Sequence, residues 1–311
     1  MDGILVVNKD AGMTSHDVVN KVRRITKERR CGHSGTLDPM ASGVLVVCMG
    51  KSTRLVRFMM DGSKKYAAEV TLGTATDSGD ADGQITTISE PFEINKKSFL
   101  DAVNSFVGTI EQLPPMVSAV HHNGKRLYEY AREGIEVERT PREVTIYSIE
   151  TVCFEELPDV LRNGDVVTLI VECSKGTYIR TLACDICESL GISGHLSKLT
   201  RIENSGFKIS DAVRIEELSQ LADAGCLDKV VLSPLTAVRQ LKKVMVDEDG
   251  EKLVSHGAFI PFDKLNTIHE KFSEGENISI VDTKEKLIAI GEVGKGQTVG
   301  SFILKPVIVF I

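Results

Sequence analysis

The sequence lacks the features of membrane and secreted proteins. No apolar run in its 311 residues approaches the roughly 18 residues that a bilayer-spanning helix needs. Residues 1–5 have no basic stretch followed by an apolar run, so they do not predict a signal peptide. The seven cysteines, an odd number between Cys31 and Cys226, do not suit a disulfide framework in a chain of this length. These absences predict a reduced, cytoplasmic protein that is not bound to a membrane.

The sequence also lacks complete motifs for nucleotides and metals. Gly50-Lys51-Ser52 ends like a phosphate-binding loop, but Leu45 stands where that motif requires glycine. Residues 77–83 resemble part of a calcium loop whose first and twelfth positions lack the required acids. Cys184 and Cys187 have metal-ligand spacing without a second pair. We therefore expect no metal, nucleotide or flavin cofactor.

The net charge of −7 has the wrong sign for general attraction to nucleic-acid phosphates. The charge is unevenly distributed, because residues 1–67 contain twelve Lys or Arg and only six Asp or Glu. A local basic surface on an acidic protein suits one defined polyanion. On charge alone, a simply solvated surface is equally favoured.

The first third of the chain predicts two buried strands, a helix and a loop. Residues 4–7 and 44–48 read as strands, and Ser15 is the predicted N-cap of a helix. In that helix Val18, Val19, Val22 and Ile25 fall at helical spacing, with Lys21, Arg24 and Lys27 away from them. Residues 31–43 are rich in Gly, Ser and Thr and read as a loop on a rigid scaffold, which often carries binding and catalytic residues.

The remaining patterns complete an α+β fold. Predicted strands cover 66–72, 143–154 and 166–173. Predicted helices cover 96–107, capped by Asn95, and 179–190. Residues 73–83 read as a loop, and residues 121–124 and Asn163-Gly164 read as turns. After Leu235 short β-like runs predict a small β-rich domain, with a turn at Asp249-Gly250.

Residues 31–43, Cys-Gly-His-Ser-Gly-Thr-Leu-Asp-Pro-Met-Ala-Ser-Gly, closely resemble the catalytic loop of the TruB-type pseudouridine synthases. That family acts on the T-arm loop of tRNA at position 55. Five further segments resemble the same family in the same order: 64–66, 76–83, 127–132, 173–180 and 195–199. The resemblance is strong over about residues 3–210 and weak beyond 235.

The resemblance implies a pseudouridine synthase fold, in which a central mixed, mainly antiparallel sheet is flanked by helices. It divides the chain into a catalytic domain over 1–235 and a small PUA-like RNA-binding domain over 236–311. It implies base flipping and isomerisation of a uridine in the T-arm stem-loop of tRNA. The expected enzyme is a monomer that needs no cofactor and no obligate protein partner.

The chemistry explains why a carboxylate is wanted. Pseudouridine formation breaks the N-glycosidic bond, turns the uracil and rejoins it through carbon, and a carboxylate nucleophile can add to the ribose or to the base. By resemblance Asp38 is that nucleophile and Arg180 pairs with it. The resemblance also implies that Tyr66 is the platform on which the base stacks, and proton acceptance is its second expected role.

The resemblance also implies four substrate-binding residues. Tyr178 and Leu199 would line the pocket, His33 would stack among the flipped-out nucleotides, and Lys9 would support the loop. Without the resemblance, Tyr66 and Tyr178 read as half-buried strand aromatics, and Asp38 before a proline reads as a turn residue.

Three positions depart from the family pattern, and they affect substrate contacts rather than the nucleophile. Asp10 stands in place of Pro, Val117 in place of an aromatic residue, and Thr200 in place of Arg. Rival interpretations are a synthase for another RNA, a non-enzymatic RNA-binding or folding protein, and a carboxylate-nucleophile hydrolase, which lacks a recognisable partner acid or metal site. His33 and Ser34 lie close to Asp38, as the residue types of a Ser-His-Asp hydrolase would, but triads are assembled from different segments.

Overall fold

A computed structural model describes residues 1–118, 120–262, 265, 271–296 and 302–311. The helices of this part of the chain are α1 Ser15–Thr26, α2 Val56–Met60, α3 Lys96–Ser105, α4 Leu127–Arg132, α5 Ile179–Ser189, α6 Ile215–Asp223 and α7 Glu248–Ser255. None of these helices is long and apolar enough to cross a membrane.

The strands of the described residues are β1 Gly3–Lys9, β2 Cys31–His33, β3 Ser42–Met49, β4 Lys64–Leu72, β5 Thr74–Thr76, β6 Ile85–Ile88, β7 Ile94–Asn95, β8 Gly108–Gln112, β9 His121–His122, β10 Lys125–Arg126, β11 Arg142–Thr151, β12 Val160–Leu161, β13 Val166–Cys173, β14 Gly194–Asn204, β15 Phe207–Lys208, β16 Val231–Leu232, β17 Lys243–Met245, β18 Ile260–Pro261, β19 Asn277–Val281, β20 Leu287–Lys295 and β21 Phe302–Val309.

The central sheet has the order β16-β1-β3-β14-β4-β13-β11-β8, with β2 on β3 and β15 on β14. The β14–β3 pair is parallel and the other pairs in this sheet are antiparallel. The predicted mixed, mainly antiparallel sheet is therefore confirmed. The parallel pair also joins two distant segments, because it places Thr200 beside Ser42 and Arg201 beside Gly43, where the loop that holds Asp38 enters the sheet.

Helices cover the sheet because its strands alternate their side chains between two faces. Val18, Val19 and Val22 of α1 pack against Leu5 and Leu45 of β1 and β3. In the other half of the sheet, α3 and α5 pack against β4 and β13 through a separate buried cluster. The site lies between these two halves, where β3, β14 and β4 are adjacent.

The β-rich segment predicted after Leu235 forms a second sheet, in the order β17-β19-β20-β21-β18. This second sheet packs against the first. Ile290, Ile308 and Phe310 share a buried cluster with Val6 and Val46 of the central sheet. Lys51 also donates a hydrogen bond to the Phe310 carbonyl, so the end of the chain is fixed to the larger unit.

Among the predicted details, three are wrong for reasons that the contacts of the residues show. Thr14 rather than Ser15 caps α1, because Thr14 and Asp17 form a reciprocal capping box. Residues 31–33 belong to strand β2, because the edge of β3 is available for pairing. Asp249-Gly250 lies inside helix α7, whose cap is Asp247; a side chain on Gly250 would collide with Val246.

Candidate active site

The loop that carries Asp38 is fixed through five consecutive backbone carbonyls, each of which accepts a hydrogen bond. Arg201 donates to the carbonyls of Gly35 and Thr36 at 3.0 and 3.3 Å. Ser15 donates to the carbonyl of Leu37 at 3.1 Å, and Lys9 to that of Pro39 at 3.2 Å. The carbonyl of Asp38 itself accepts from the backbone amide of Ala41 at 3.1 Å. A loop held at every residue can position its side chain, as a catalytic site requires.

Lys9 and Ser15 hold this loop from inside the protein. Lys9 is fully buried, and its Nζ also donates to the carbonyls of Asp10 and Met13 at 3.1 and 2.6 Å. Burial lowers the pKa of Lys9 to about 8. Ser15 Oγ also accepts from the amide of Leu37 at 2.8 Å. This contact explains why Ser15 is not available to cap its own helix.

Asp38 and Arg180 form the ion pair that the sequence predicts. Arg180 Nε lies 3.0 Å from Asp38 Oδ2; the arginine side chain is 3% exposed and the aspartate side chain 37% exposed. Arg180 is the second residue of α5, whose buried face packs into the core. The guanidinium is thus fixed, while a carboxylate oxygen remains accessible.

Arg180 also connects two other loops to Asp38. It donates to the Ser78 carbonyl at 3.0 Å and to the Val117 carbonyl at 2.7 Å, and its Nη1 lies 3.4 Å from Asp80 Oδ2. The Asp80 side chain is 7% exposed. One guanidinium therefore joins the loop of Asp38, the 76–83 loop and the segment around Val117.

The electrostatics of Asp38 combine opposing effects. Burial raises the pKa of the Asp38 carboxyl above its ordinary value of 3.8, and the neighbouring Asp80 charge raises it too, whereas Arg180 lowers it. Opposing effects of this kind on one carboxyl beside a cleft are typical of functional sites.

Tyr66 and Leu199 lie on neighbouring strands of the central sheet. Tyr66 is 9% exposed and Leu199 5% exposed, and both belong to the buried cluster that contains Leu37. Burial raises the pKa of the Tyr66 hydroxyl, so this group is neutral at neutral pH. Tyr66 thus lies next to the loop, on the core side of it.

Tyr178 and His33 are half-buried at the edges of this arrangement. The buried side chain of Gln112 holds the Tyr178 backbone, accepting from its amide at 3.0 Å and donating to its carbonyl at 3.2 Å. His33 Nδ1 accepts from the Gly35 amide at 3.3 Å. Burial lowers the pKa of His33, with the Arg201 charge adding to the effect, so its ring is uncharged at neutral pH.

A cleft of about 290 Å3 opens beside Asp38 and Arg180. Its lining includes the carboxylates of Asp77, Asp80 and Asp82. An acidic cleft repels phosphate and accepts a neutral ring, so a nucleotide can place its base there only while its phosphates stay outside. In the part of the chain that the structure describes, no cluster of His, Cys, Asp or Glu could hold a metal ion.

The sequence analysis missed Asp80 and Arg201. Asp80 lies inside the 76–83 segment, but an Asp/Gly-rich stretch reads as a solvated loop. Arg201 follows the segment 195–199 and is 1% exposed. A buried charge in a strand has no local signature, because long-range contacts decide its burial.

Two of the positions that depart from the family pattern make contacts at the site. Thr200 shares a hydrogen bond with Ser42 at 3.0 Å, and the Val117 carbonyl accepts from Arg180.

Solved structures share this fold. A chain from a Cbf5-Nop10-Gar1 complex is 26% identical, with a TM-score of 0.74, and the match covers 99% of this chain and 85% of that one. A chain from an H/ACA RNP bound to a substrate RNA containing 2′-deoxyuridine is 24% identical, with a TM-score of 0.75, over 99% and 85% of the two chains.

A family model described as TruB family pseudouridylate synthase (N terminal domain) matches residues 23–179. The fold is thus that of a pseudouridine synthase, an enzyme that isomerises uridine in RNA. The tRNA pseudouridine synthase B of Clostridium perfringens is 41% identical to this chain, over 88% of this chain and 90% of that protein. The protein of the same name from Geobacillus thermodenitrificans is 44% identical, over 84% of this chain and 86% of that protein. The Streptococcus pneumoniae protein of that name is 41% identical over 92% and 97%. The chain belongs to the TruB family.

Proposed function

We propose that this enzyme isomerises the uridine at position 55, in the T-arm loop of tRNA, with Asp38 as the nucleophile. The accessible Asp38 carboxylate, paired with the buried Arg180 at the cleft, carries the proposal. The three relatives described above are called tRNA pseudouridine synthases, and they match this chain over most of its length.

The reaction needs few chemical groups, because it is an isomerisation. The bond between C1′ and N1 breaks, a bond between C1′ and C5 forms, and one proton leaves C5 while one is gained at N1. Asp38 adds to the ribose or to the base and is released unchanged. In either order the attacking oxygen must be ionised and fixed, and Arg180 and the anchored loop provide both conditions.

The substrate base must leave its stack to reach Asp38, which costs about a few kcal/mol. We propose that Tyr66 and Leu199 receive the flipped base, that Tyr178 lines the pocket, and that His33 stacks on a neighbouring nucleotide. The neutral imidazole of His33 suits stacking. The acidic lining of the cleft keeps the phosphates out.

The remaining assignments complete the proposal. The enzyme acts in the cytoplasm as a monomer without an obligate protein partner, and residues 236–311 form an RNA-binding domain that adds affinity. The shared cluster between the two sheets supports a fixed rather than a tethered second unit.

The function is tested by mapping pseudouridine in an unmodified tRNA transcript after incubation with the protein. Position 55 should be converted completely, and a transcript with cytidine at that position should acquire no pseudouridine anywhere. Conversion at another uridine would leave the class of enzyme intact and overturn the T-arm assignment.

We expect the ring and the hydroxyl of Tyr66 to have separate roles. Tyr66→Phe keeps the ring and removes the hydroxyl, and we expect the single-turnover rate to fall about 10²-fold, the lower range for a lost proton-transfer group. Tyr66→Leu should fall further, because the stacking surface is lost as well. Single-turnover rates and melting temperatures of both variants decide the matter: if Tyr66→Phe keeps the wild-type rate, the hydroxyl has no chemical role.

The basic surface predicted at the start of the chain needs one correction. Arg23 is not free for phosphate, because it donates to the side chain of Asn20 at 2.9 Å and to the Cys31 carbonyl at 3.0 Å. The residues left exposed at the end of α1 and after it are Arg24, Lys27, Arg29 and Arg30.

Neutralising these four exposed residues together should weaken tRNA binding and flatten its salt dependence. Each lost phosphate contact lowers the slope of log K against log salt by somewhat less than one. Binding titrations between low and moderate salt measure the slope. Lys97→Ala, an exposed lysine on α3, is the control and should leave the slope unchanged; an unchanged slope in the fourfold variant would place the RNA-binding surface elsewhere.

A further inference from the structure

Arg201 is a buried cation without an acidic partner. Its side chain, in the middle of β14, is the largest of the fully buried ones, at 1% exposed. None of the ion pairs found among the described residues involves it. Burying an uncompensated charge opposes folding, so such a residue in an enzyme invites a functional explanation.

Three hydrogen bonds join Arg201 to backbone carbonyls of the Asp38 loop and of the neighbouring strand β3. Its Nε donates to the Val44 carbonyl at 2.8 Å, and its terminal nitrogens donate to the carbonyls of Thr36 and Gly35. Gly43 allows this approach, because a Cβ there would lie 2.2 Å from the Arg201 carbonyl oxygen. Neutral amide donors could hold carbonyls equally well, so these bonds do not explain why the side chain is charged.

Tyr66 offers the explanation. In the antiparallel pair of β14 and β4, Arg201 lies directly opposite Tyr66, and side chains of opposed residues project on the same face of a sheet. The Arg201 charge and its polar contact with the tyrosine lower the pKa of the Tyr66 hydroxyl, against the burial that raises it. The one cation thus anchors the loop of the nucleophile and lies opposite the proposed proton carrier.

We propose that Arg201 is a positioning residue that stabilises Tyr66 while this tyrosine carries the proton of the reaction. In this scheme, which rests on the proposed function, the Tyr66 hydroxyl gives its proton to N1 as the bond to C1′ breaks. The resulting phenolate, held beside the guanidinium, takes the proton from C5 after the new carbon–carbon bond forms. One proton moves from C5 to N1, and Tyr66 and Arg201 end unchanged.

The test uses two substitutions that differ in charge. Arg201→Lys keeps the cation and loses the forked donors, whereas Arg201→Gln keeps a donor and loses the cation. We expect the single-turnover rate at neutral pH to fall about 10²-fold in Arg201→Gln. The loss of rate in Arg201→Lys should be at least tenfold smaller. In Arg201→Gln the rate should continue to rise at a higher pH than in the wild type, because the Tyr66 hydroxyl ionises less readily.

Two controls separate this role from loop anchoring. Ser15→Ala removes another loop anchor without changing charge, and it should lower the rate without moving the pH profile. In a Tyr66→Phe background Arg201→Gln should cost much less than it does alone. Ultraviolet titration of wild type, Arg201→Lys and Arg201→Gln, each against its Tyr66→Phe counterpart, measures whether loss of the Arg201 cation makes Tyr66 ionise less readily; if Arg201→Gln fails to fold, Arg201→Met takes its place.

The proposal is wrong if Arg201→Lys and Arg201→Gln lose activity equally, with wild-type pH profiles and losses that follow their melting temperatures. It is also wrong if the two substitutions at 66 and 201 act independently, or if removing the Arg201 cation leaves the ionisation of Tyr66 where it is in the wild type. Wild-type conversion of position 55, measured in the same assay, shows separately whether the proposed function holds.

Discussion

Asp38→Asn is expected to bind tRNA and to form no detectable pseudouridine. The amide is nearly isosteric with the carboxylate but is neither anionic nor usefully nucleophilic, so we expect a loss on the order of 10⁴-fold or more in the single-turnover rate. Affinity should persist because phosphate contacts dominate binding to nucleic acid, and we expect them to lie outside a cleft lined by several carboxylates.

The structure removes the main alternative explanation for such a loss. If Asp38 were a turn-forming residue, Asn would preserve activity because it makes the same turn bonds. Here the turn is made by the backbone, through the Asp38 carbonyl and the Ala41 amide. The side chain contributes the ion pair with Arg180, so Asn leaves the turn unaltered.

Asp38→Glu is the matched control, because it keeps the charge and moves it. One methylene displaces the reacting oxygen by about an ångström, enough to cost about 10²-fold. The measurement is a single-turnover assay beside a binding titration and a melting curve. Substantial activity in a folded Asp38→Asn protein would refute the nucleophilic mechanism.

Sequence patterns predicted the elements of this protein better than their contacts. Valine spacing predicted helix α1 correctly, but its cap is Thr14, through a capping box with Asp17, whereas the Ser15 side chain bonds to Leu37, 22 residues away, which no local pattern shows. Strand β2 was missed for the same kind of reason, since three residues of loop-like composition pair with the edge of β3. The spacing of apolar residues shows which face of an element is buried, but not which residues from distant parts of the chain lie beside it.

The same limit applies to the site. The pairing of Asp38 with Arg180 was available from family resemblance, and the structure contains that contact. Asp80 and Arg201 had no comparable signal, because charged residues in a loop and a strand normally read as solvated. Their burial, at 5% and 1% exposed, depends on a network that only the folded chain assembles.

Arg180→Met is expected to be nearly as damaging as Asp38→Asn, by a different route. The substitution removes the cation between Asp38 and Asp80 and releases the carbonyls of Ser78 and Val117. Two neighbouring carboxylates without a cation resist ionising together. Loss of this buried partner should also lower the free energy of unfolding by about 3 kcal/mol.

The pH dependence identifies the cause. In the wild type the Asp38 pKa already lies above 3.8, through burial and the Asp80 charge, and Arg180 limits the rise. Without Arg180 the folded-state pKa rises further while the unfolded value does not change. The variant therefore becomes less stable, relative to wild type, as pH rises from the folded-state pKa of Asp38 in the wild type through its higher folded-state pKa in the variant, because over this range only the variant still has to ionise an unfavourable carboxyl.

Activity should follow the same ionisation, since only the carboxylate attacks. We expect the acid limb of the single-turnover rate to shift to higher pH in Arg180→Met, and Asp80→Asn in the same protein to shift it partly back by removing the repelling charge. Arg180→Lys should recover little, because one ammonium group cannot reach two carboxylates and two carbonyls at once. If the acid limb stays in place and only the melting temperature falls, Arg180 serves to stabilise the fold and Asp38 needs no cation to react.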